Sequence, residues 1–215
     1  MSDGAVVIFL LSPAYCAGRR AKILLRADSP LPIAHRLRAG QLSIAEAFTF
    51  MSGLYFRGKI AYARRFGRTT NGGAAVFVIT PTRGLVAPDE PVSVELLHEF
   101  ASVDVNASDW RYRHPLERDV TRLATGLAGD ARVVLLGSVA TGKYVDVLAT
   151  TLGERLHYPV TFIGRGDMSR GGLLLRSVTA AEELDYVVVD PSVQRRGPRP
   201  PKLEPLWSTG IRRED

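Results

Sequence analysis

Four loops of this chain combine hydroxyl, cationic and glycine residues in a way typical of anion-binding sites. Each loop follows a short apolar run, and they cover residues 12–20, 80–84, 137–144 and 164–172. Hydroxyl and backbone N–H groups donate hydrogen bonds to phosphate or carboxylate oxygens, while Arg and Lys supply the opposite charge. We therefore predict one anion-binding site formed by these loops. Its predicted ligand-binding residues are Arg19, Arg83, Ser138, Thr141, Gly142, Lys143, Arg165, Ser169 and Arg170.

The third of these loops matches the phosphate-binding spacing G-x-x-x-x-G-K over residues 137–143. Tyr144 follows it, at the position where a P-loop has the Ser or Thr that holds magnesium. A P-loop strand also normally comes first in its domain, whereas this one lies late in the chain. The sequence therefore favours a general anion site at the start of a helix, with a P-loop-like nucleotide binder as an alternative.

A second set of residues has side chains suited to catalysis. A carboxylate can act as general acid or base, a hydroxyl can position a substrate, and a thiolate can act as a nucleophile. The candidates are Asp89, Asp167, Ser12, Cys16 and Tyr144.

The thiol of Cys16 has two interpretations. It lies close to Arg19 and Arg20 and near the start of a predicted helix, and both features favour a lowered pKa and a reactive thiolate. No histidine is an evident catalytic partner, however, and a lone cysteine often serves as a small buried apolar residue.

The longest predicted helix begins at the capping-box pattern 43–46 and ends near Gly67. Gly53 and Gly58 within it could mark close packing, a break between two helices, or backbone exposed to a ligand. Its cations could form an ordinary solvated face or a surface that follows a nucleic-acid backbone. The predicted nucleic-acid surface consists of Arg57, Lys59, Arg64, Arg65 and Arg68.

Composition limits the class of protein and its partners. The 215 residues carry a formal net charge of +6, which favours anionic partners such as nucleic acids, nucleotides or acidic membranes, although many soluble proteins are equally basic without such partners. The single cysteine excludes an intrachain disulfide and a Cys-rich zinc site, and the sequence identifies no metal site or cofactor. The apolar runs are too short to cross a membrane, and the first ends at Pro13, so it is predicted to be a strand rather than a signal peptide. We expect a cytoplasmic protein without membrane partners.

The elements that position these loops alternate between strands and helices, which predicts an α/β fold. We expect a mainly parallel central sheet of about five strands with helices on both faces. Pro30 and Pro32 are expected to interrupt the chain between helices. The predicted strands cover 5–11, 74–79, 131–136, 158–163 and 185–189. The predicted helices cover 16–26, 43–67, 93–103, 115–128, 144–156 and 169–177, with a further piece at 179–184.

Two parts of the chain are predicted to differ in order. Residues 1–190 are predicted to form a single α/β domain, and 191–215 a tail that is rich in Pro and Arg and extended or disordered. The tail could extend a nucleic-acid surface through Arg195, Arg196, Arg199, Lys202 and Trp207.

Several of these loops resemble, in type and order, those of the YaaA family of peroxide-stress proteins linked to DNA binding. The same order is similar to that of small domains found with deazaguanine-modifying, transglycosylase-like enzymes. The resemblance covers about residues 6–176. The similar blocks are 11–14, 54–55, 80–89, 136–138, 143–144 and 165–170.

The resemblance implies an α/β fold and a link to nucleic-acid or nucleobase chemistry. The chain departs from the family pattern at Tyr15, where a lysine is usual, and at Arg83, where an aromatic residue is usual. These departures put into doubt any family chemistry that uses those two groups.

Three functional hypotheses follow. The first is a nucleic-acid- or nucleotide-directed protein that could act as an enzyme on a nucleobase or nucleotide. The alternatives are a non-catalytic DNA- or RNA-binding protein and the P-loop-like nucleotide binder. The first hypothesis predicts that four side chains meet in one cleft: Ser12, Lys143, Arg165 and Arg170.

Overall fold

A computed structural model describes residues 5–70, 72–190 and 197–203 and confirms the α/β fold. Its sheet has six strands in the order β3-β2-β1-β4-β5-β6, of which β2, β1, β4 and β5 are parallel to one another. The two edge strands, β3 and β6, pair antiparallel to their neighbours. The strands are β1 (Val7–Leu11), β2 (Val76–Ile79), β3 (Leu85–Val86), β4 (Arg132–Leu136), β5 (Leu156–Pro159) and β6 (Tyr186–Val188).

Eight α-helices are present in the described part of the chain. They are α1 (Arg19–Leu25), α2 (Pro32–Arg38), α3 (Ile44–Ser52), α4 (Leu54–Phe66), α5 (Val94–Ala101), α6 (Trp110–Thr125), α7 (Gly142–Leu152) and α8 (Asp167–Ala180).

The core forms two layers, one on each face of the sheet. Alternate residues of β1 point to opposite faces, as the period of a strand requires. Phe9 packs into one layer with residues of α1–α5 and α8, and Leu10 packs into the other with residues of α6 and α7. Both are fully buried, so the sheet is covered on both faces, as parallel sheets generally are.

The adjacent carboxyl ends of β1 and β4 form a crevice in the sheet. The chain leaves β1 towards β2 on one side, and it leaves β4 towards β5 on the other. The loops that follow these two strands therefore separate, and such a switch point is where open α/β sheets usually bind ligands. Two of the four predicted anion-binding loops, 12–20 and 137–144, begin at this crevice.

Several local predictions differ from the structure. Pro32 opens α2 rather than interrupting the chain, because a proline at the first helical position gives up no helical hydrogen bond. The strand predicted at 158–163 lies at 156–159, and a 3-10 turn follows it over 160–162. Pro159 lacks the N–H needed to continue the ladder. The sequence also gave no indication of the two-residue strand β3.

Two glycines explain the path of the long predicted helix. Gly53 has a φ of +64°, which separates α3 from α4, and the capping box of Ser43 and Glu46 starts α3 as predicted. Gly58 lies at the crossing of α4 with α8: a Cβ placed there would lie 2.7 Å from the carbonyl oxygen of Gly171. Break and close packing, two of the three predicted roles, therefore both occur in this segment. The crossing brings the middle of α4 close to the first turns of α8.

Candidate functional site at the strand ends

A cavity of about 260 Å³ opens at the crevice between β1 and β4. We call it the strand-end cavity. The loop after β1, the loop after β4 and the starts of α4, α7 and α8 all contribute to its wall. The polar side chains that line it include Ser12, Tyr55, Ser138, Lys143, Tyr144 and Asp167.

A buried lysine lies behind this wall. Lys59 of α4 is 1% exposed, and its Nζ donates hydrogen bonds to the carbonyl oxygen of Ser12 and, at 3.0 Å, to the Ser12 Oγ. The Nζ also lies 4.4 Å from the centroid of the Tyr55 ring and 4.7 Å from that of Phe56. Lys59 forms no ion pair within the described ranges.

The environment of Lys59 favours its neutral form. Burial lowers the pKa of Lys59 to about 7, because a charged amine loses its hydration in the protein interior. The carboxylate of Asp167 opposes this change in pKa, while the cations of Arg170 and Lys143 add to it. Near neutral pH a large share of Lys59 is therefore an uncharged amine that can accept a proton.

Ser12 connects this amine to the cavity. It is the first residue after β1, and its backbone N–H and its hydroxyl both donate to the Leu136 carbonyl of β4, each at 3.2 Å. The Ser12 hydroxyl also accepts the bond from Lys59 and lines the cavity. The end of one strand thus places the hydroxyl between the amine and the open space.

Two tyrosines complete the inner wall. The hydroxyl of Tyr55 is buried and has no hydrogen-bond partner among the described residues, which is unusual for a buried polar group. Burial raises the pKa of Tyr144 above its ordinary value, and its interaction with the Ser12 hydroxyl opposes that change. Burial likewise raises the pKa of Tyr55, so both phenols are neutral donors at the cavity.

Lys143 supplies the cation at the mouth of the cavity. It lies in the first turn of α7, where backbone N–H groups lack helical partners and the helix dipole is positive. The hydroxyl of the fully buried Tyr112 donates to the Lys143 carbonyl at 2.9 Å and so fixes this turn. The Nζ lies 5.1 Å from the centroid of the Tyr144 ring, and Lys143 forms no ion pair with a described residue.

A second cavity, of about 280 Å³, adjoins the first. We call it the neighbouring cavity. The two share the walls formed by Pro13, Ala14, Tyr15, Lys143 and Tyr144. Tyr15 is 71% exposed although it lines both cavities, so its aromatic ring is accessible to solvent where they adjoin.

Five of the predicted site residues lie together in the structure. The structure brings Ser12, Ser138, Lys143, Tyr144 and Asp167 together in the strand-end cavity. These residues come from three of the four loops identified in the sequence, because the carboxyl ends of parallel strands meet at one edge.

The predicted convergence of four side chains is met only in part. Ser12 and Lys143 line the cavity. The Arg170 guanidinium lies 3.6 Å from the Asp167 carboxylate. It also donates two hydrogen bonds to the Phe162 carbonyl, at 3.2 and 3.1 Å, so Arg170 supports the cavity wall.

Arg165 lies elsewhere and is a correction to the single-site prediction. Its guanidinium donates to the Thr161 carbonyl, the Ser169 hydroxyl and the Pro201 carbonyl. Arg165 and Ser169 thus line a separate groove together with residues 199–203. The fourth loop is thus divided, because Asp167 lines the strand-end cavity whereas the Arg165 guanidinium is held by Thr161, Ser169 and Pro201.

Other predicted ligand or catalytic residues also lie away from the cavity. Asp89, 79% exposed, pairs with Arg64, and Arg83 pairs with Glu99 at 2.5 Å. Arg19 and Thr141 are exposed and do not line the cavity. A Cβ added at Gly142 would collide with the carboxylate of Asp146, so this carboxylate lies directly beside the Gly142 Cα.

The surroundings of Cys16 do not favour an activated thiol. Burial raises the pKa of Cys16 to about 12, and the Sγ donates to the Ala14 carbonyl at 3.6 Å. The side chain is buried against the neighbouring cavity, and the alternative interpretation as a small apolar residue holds.

The predicted basic stripe on α4 is also corrected. Lys59 is buried and belongs to the cavity side of the helix. Arg64 and Arg68 are exposed but pair with Asp89 and Glu183. Arg57 and Arg65 are exposed and form no ion pair in the described part of the molecule.

Sequence reasoning missed Tyr55 and the cavity role of Lys59, although a signal was present. Tyr55, Lys59 and Tyr62 follow the helical spacing of the apolar face of α4, so that the period places Lys59 inside. A lysine on the buried face of a helix is rare enough to indicate a function.

Some predictions fall outside the residues that the structure describes. These are the tail positions Arg195, Arg196 and Trp207. Arg199 and Lys202 are described and line the groove with Arg165.

No helix within the described ranges is long and apolar enough to cross a membrane. The described residues also contain no group of three His, Cys, Asp or Glu side chains placed to hold a metal ion. Comparison with known proteins found no matching family model, no match among curated proteins and no match among solved structures.

Proposed function

We propose that this protein binds a nucleotide, or the phosphate-bearing part of a nucleic acid, in the strand-end cavity. The observation that carries the proposal is the position of Lys143, an unpaired cation in the first turn of α7 that faces a cavity at the switch point of the sheet. An anion at this position would interact with the ammonium group and with the helix dipole.

The remaining polar groups fit the other parts of a nucleotide. The Ser138 side chain and the unpartnered Tyr55 hydroxyl can donate to phosphate or sugar oxygens. The carboxylate of Asp167 can accept from a sugar hydroxyl or from the exocyclic amine of a base. The phosphate and the base of a nucleotide would thus each have their own hydrogen-bond partners in the wall of the strand-end cavity.

The size of the space agrees with a ligand of this class. The strand-end cavity, at about 260 Å³, is slightly smaller than the about 300–1,000 Å³ of most ligand pockets, so by itself it suits only part of a nucleotide. The neighbouring cavity adds about 280 Å³. The exposed Tyr15 ring between them offers a face on which a base can stack.

Two further expectations belong to this proposal. The net charge of +6 favours an anionic partner, and the single cysteine agrees with action in a reducing cytoplasm. The resemblance of the loops to the YaaA family points to the same class of ligand, since that family is linked to nucleic acid.

Equilibrium binding by calorimetry tests the proposal. The probes are the nucleoside 5′-monophosphates and a short single-stranded DNA. We expect Lys143→Ala to weaken binding about tenfold or more, as for loss of a charge-assisted contact worth about 1.5–3 kcal/mol. Lys22→Ala, an exposed lysine of α1 outside every described contact, removes the same charge and is the matched control.

Other outcomes would identify other functions. If Lys143→Ala and Lys22→Ala bind equally well, the cavity is not the anion site. If affinity depends instead on Arg57 and Arg65, the free cations of α4, the protein binds nucleic acid through its surface. An absolute requirement for Mg²⁺ together with a nucleoside triphosphate would favour the P-loop-like alternative.

A further inference from the structure

We propose that Ser12 and Lys59 form a nucleophile–base pair that hydrolyses an ester or amide bond in the strand-end cavity. This activity goes beyond the binding function proposed above. Only one feature of the substrate, an anionic group held against Lys143, rests on that function.

The geometry of the pair carries this inference. The Lys59 Nζ is 3.0 Å from the Ser12 Oγ, which is within the distance required between a base and its nucleophile. Ser12 lines the cavity, whereas Lys59 is buried behind it. A substrate therefore meets the hydroxyl first, and the amine can exchange protons only with groups held next to the Ser12 Oγ.

The surroundings of Lys59 suit a general base. Its contacts are the Ser12 hydroxyl and carbonyl and the rings of Tyr55 and Phe56, and none of these is a carboxylate that would hold the ammonium form. The charged groups that act on it are Asp167 and Arg170 from α8 and Lys143 from α7. Burial outweighs them and lowers the pKa of Lys59 to about 7, the range in which a general base is most effective.

The reaction runs in two steps. In the first, neutral Lys59 takes the proton of the Ser12 hydroxyl while Oγ bonds to the substrate carbonyl carbon. The bond to the leaving group then breaks, and the proton passes from Lys59 to that group. In the second step, Lys59 takes a proton from water, whose oxygen attacks the acyl-Ser12 ester. Oγ leaves and recovers the proton, so the net change is addition of one water across the ester or amide.

Two groups beside the pair can stabilise the intermediate. The Tyr144 hydroxyl interacts with Ser12 and is kept neutral by burial, so it can donate a hydrogen bond to the developing oxyanion. The ammonium of Lys143 lies on the same wall and supplies positive charge. Both groups come from the first turn of α7, which the Tyr112 hydroxyl fixes through the Lys143 carbonyl.

Covalent labelling tests the pair without requiring the natural substrate. The full chain is treated with a small alkyl fluorophosphonate, which reacts with activated serines, and the modified residue is identified by mass spectrometry. We expect one adduct, on Ser12, and a rate that rises with pH through about 7 as Lys59 loses its proton. Ser12→Ala should abolish labelling, and Lys59→Met should lower its rate at least 100-fold.

The variant Ser12→Cys provides a second test in case the Lys59→Met protein does not fold. The thiol introduced by Ser12→Cys should react with iodoacetamide at neutral pH at least tenfold faster than Cys16 does, because Lys59 promotes its ionisation while burial keeps Cys16 protonated. Cys16 lies in the same loop and is the internal control.

Three results would overturn the proposal: no adduct on Ser12 of the folded chain, labelling that is independent of Lys59, or equal reactivity of the two thiols. None of them depends on nucleotide affinity. Failure of the Ser12–Lys59 pair can thus be distinguished from failure of the Lys143 anion site.

Discussion

The cations at the strand-end cavity and those on the outer face of α4 differ in their partners and in their exposure. On the outer face, Arg64 and Arg68 each meet a carboxylate, and the remaining cations extend into solvent. At the cavity, Lys59 and Lys143 have no carboxylate partner in the described structure, and Lys59 is fully desolvated.

This difference shows which cations are free to act. A surface ion pair contributes little to stability and leaves its charge screened by water. A buried amine without a carboxylate is costly, and its pKa moves until the neutral form is favoured. Lys59 therefore acquires a chemical property that no surface arginine can have, since arginine stays protonated in proteins.

The largest expected effect on stability comes from a substitution at the crossing of α4 and α8, next to the strand-end cavity. A Cβ at Gly171 would lie 2.7 Å from the Leu54 carbonyl oxygen and 2.8 Å from the Tyr55 Cα. Gly171→Ala should therefore lower the free energy of unfolding by about 1–3 kcal/mol, as overpacking does. Urea denaturation measures the change.

Gly172→Ala is the matched control for this substitution. At Gly172 the nearest atom to a new Cβ is a side-chain carbon of Leu203 at 3.5 Å. This variant should be neutral or more stable by up to about 1 kcal/mol, because alanine favours a helix. Equal stability of the two variants would show that the close approach of α4 and α8 does not constrain the cavity.

The pH dependence of the free energy of unfolding distinguishes Lys59 from the surface cations. The pKa of Lys59 is about 7 in the folded protein, so the unfolded chain binds more protons above that pH. The free energy of unfolding should rise with pH from 7 to 8.5, by at most about 1.4 kcal/mol per pH unit for one group. As pH falls towards 7, this stability is lost.

Comparison of two variants isolates this contribution. Lys59→Met keeps an apolar stem and removes the titration, so its stability should vary less with pH than that of the wild type. Lys22→Met, on the exposed face of α1, should leave the pH profile unchanged. Parallel profiles for the wild type and Lys59→Met would mean that the amine keeps its ordinary pKa when buried.

The smallest effect belongs to the outer face. A double-mutant cycle with Arg64→Ala and Asp89→Asn should give a coupling energy below about 1 kcal/mol that decreases with added salt. Neither substitution should change nucleotide affinity or Ser12 labelling. A loss of either with Asp89→Asn would restore this carboxylate as a catalytic candidate and remove the contrast between the two regions.

The sequence allowed much of the fold to be predicted. Buried runs of Val, Ile, Leu and Phe indicated the parallel strands, because a strand covered on both faces has no polar side. The capping box at Ser43 and Glu46 located the start of α3, and Gly53 and Gly58 indicated a break or close packing. The edge strand β3 was missed, since two residues carry no periodic signal.

Most of the polar residues of the candidate site could be predicted by the same logic. Ser12, Ser138 and Lys143 follow strands whose carboxyl ends meet in every sheet of this class. Arg165 and Cys16 could not be judged in this way. The bond between Arg165 and the Pro201 carbonyl and the depth at which a thiol is buried depend on contacts between distant segments.

The sequence by itself determined which residues follow the strands and which face of α4 is apolar, because the periods of strands and helices fix these relations locally. Only the tertiary structure decided that Lys59 meets Ser12, 47 residues away, and does so without a carboxylate. That contact requires the crossing of α4 and α8 at two glycines and the pairing of β1 with β4. Desolvation, which gives Lys59 its chemistry, exists only once those distant elements have packed.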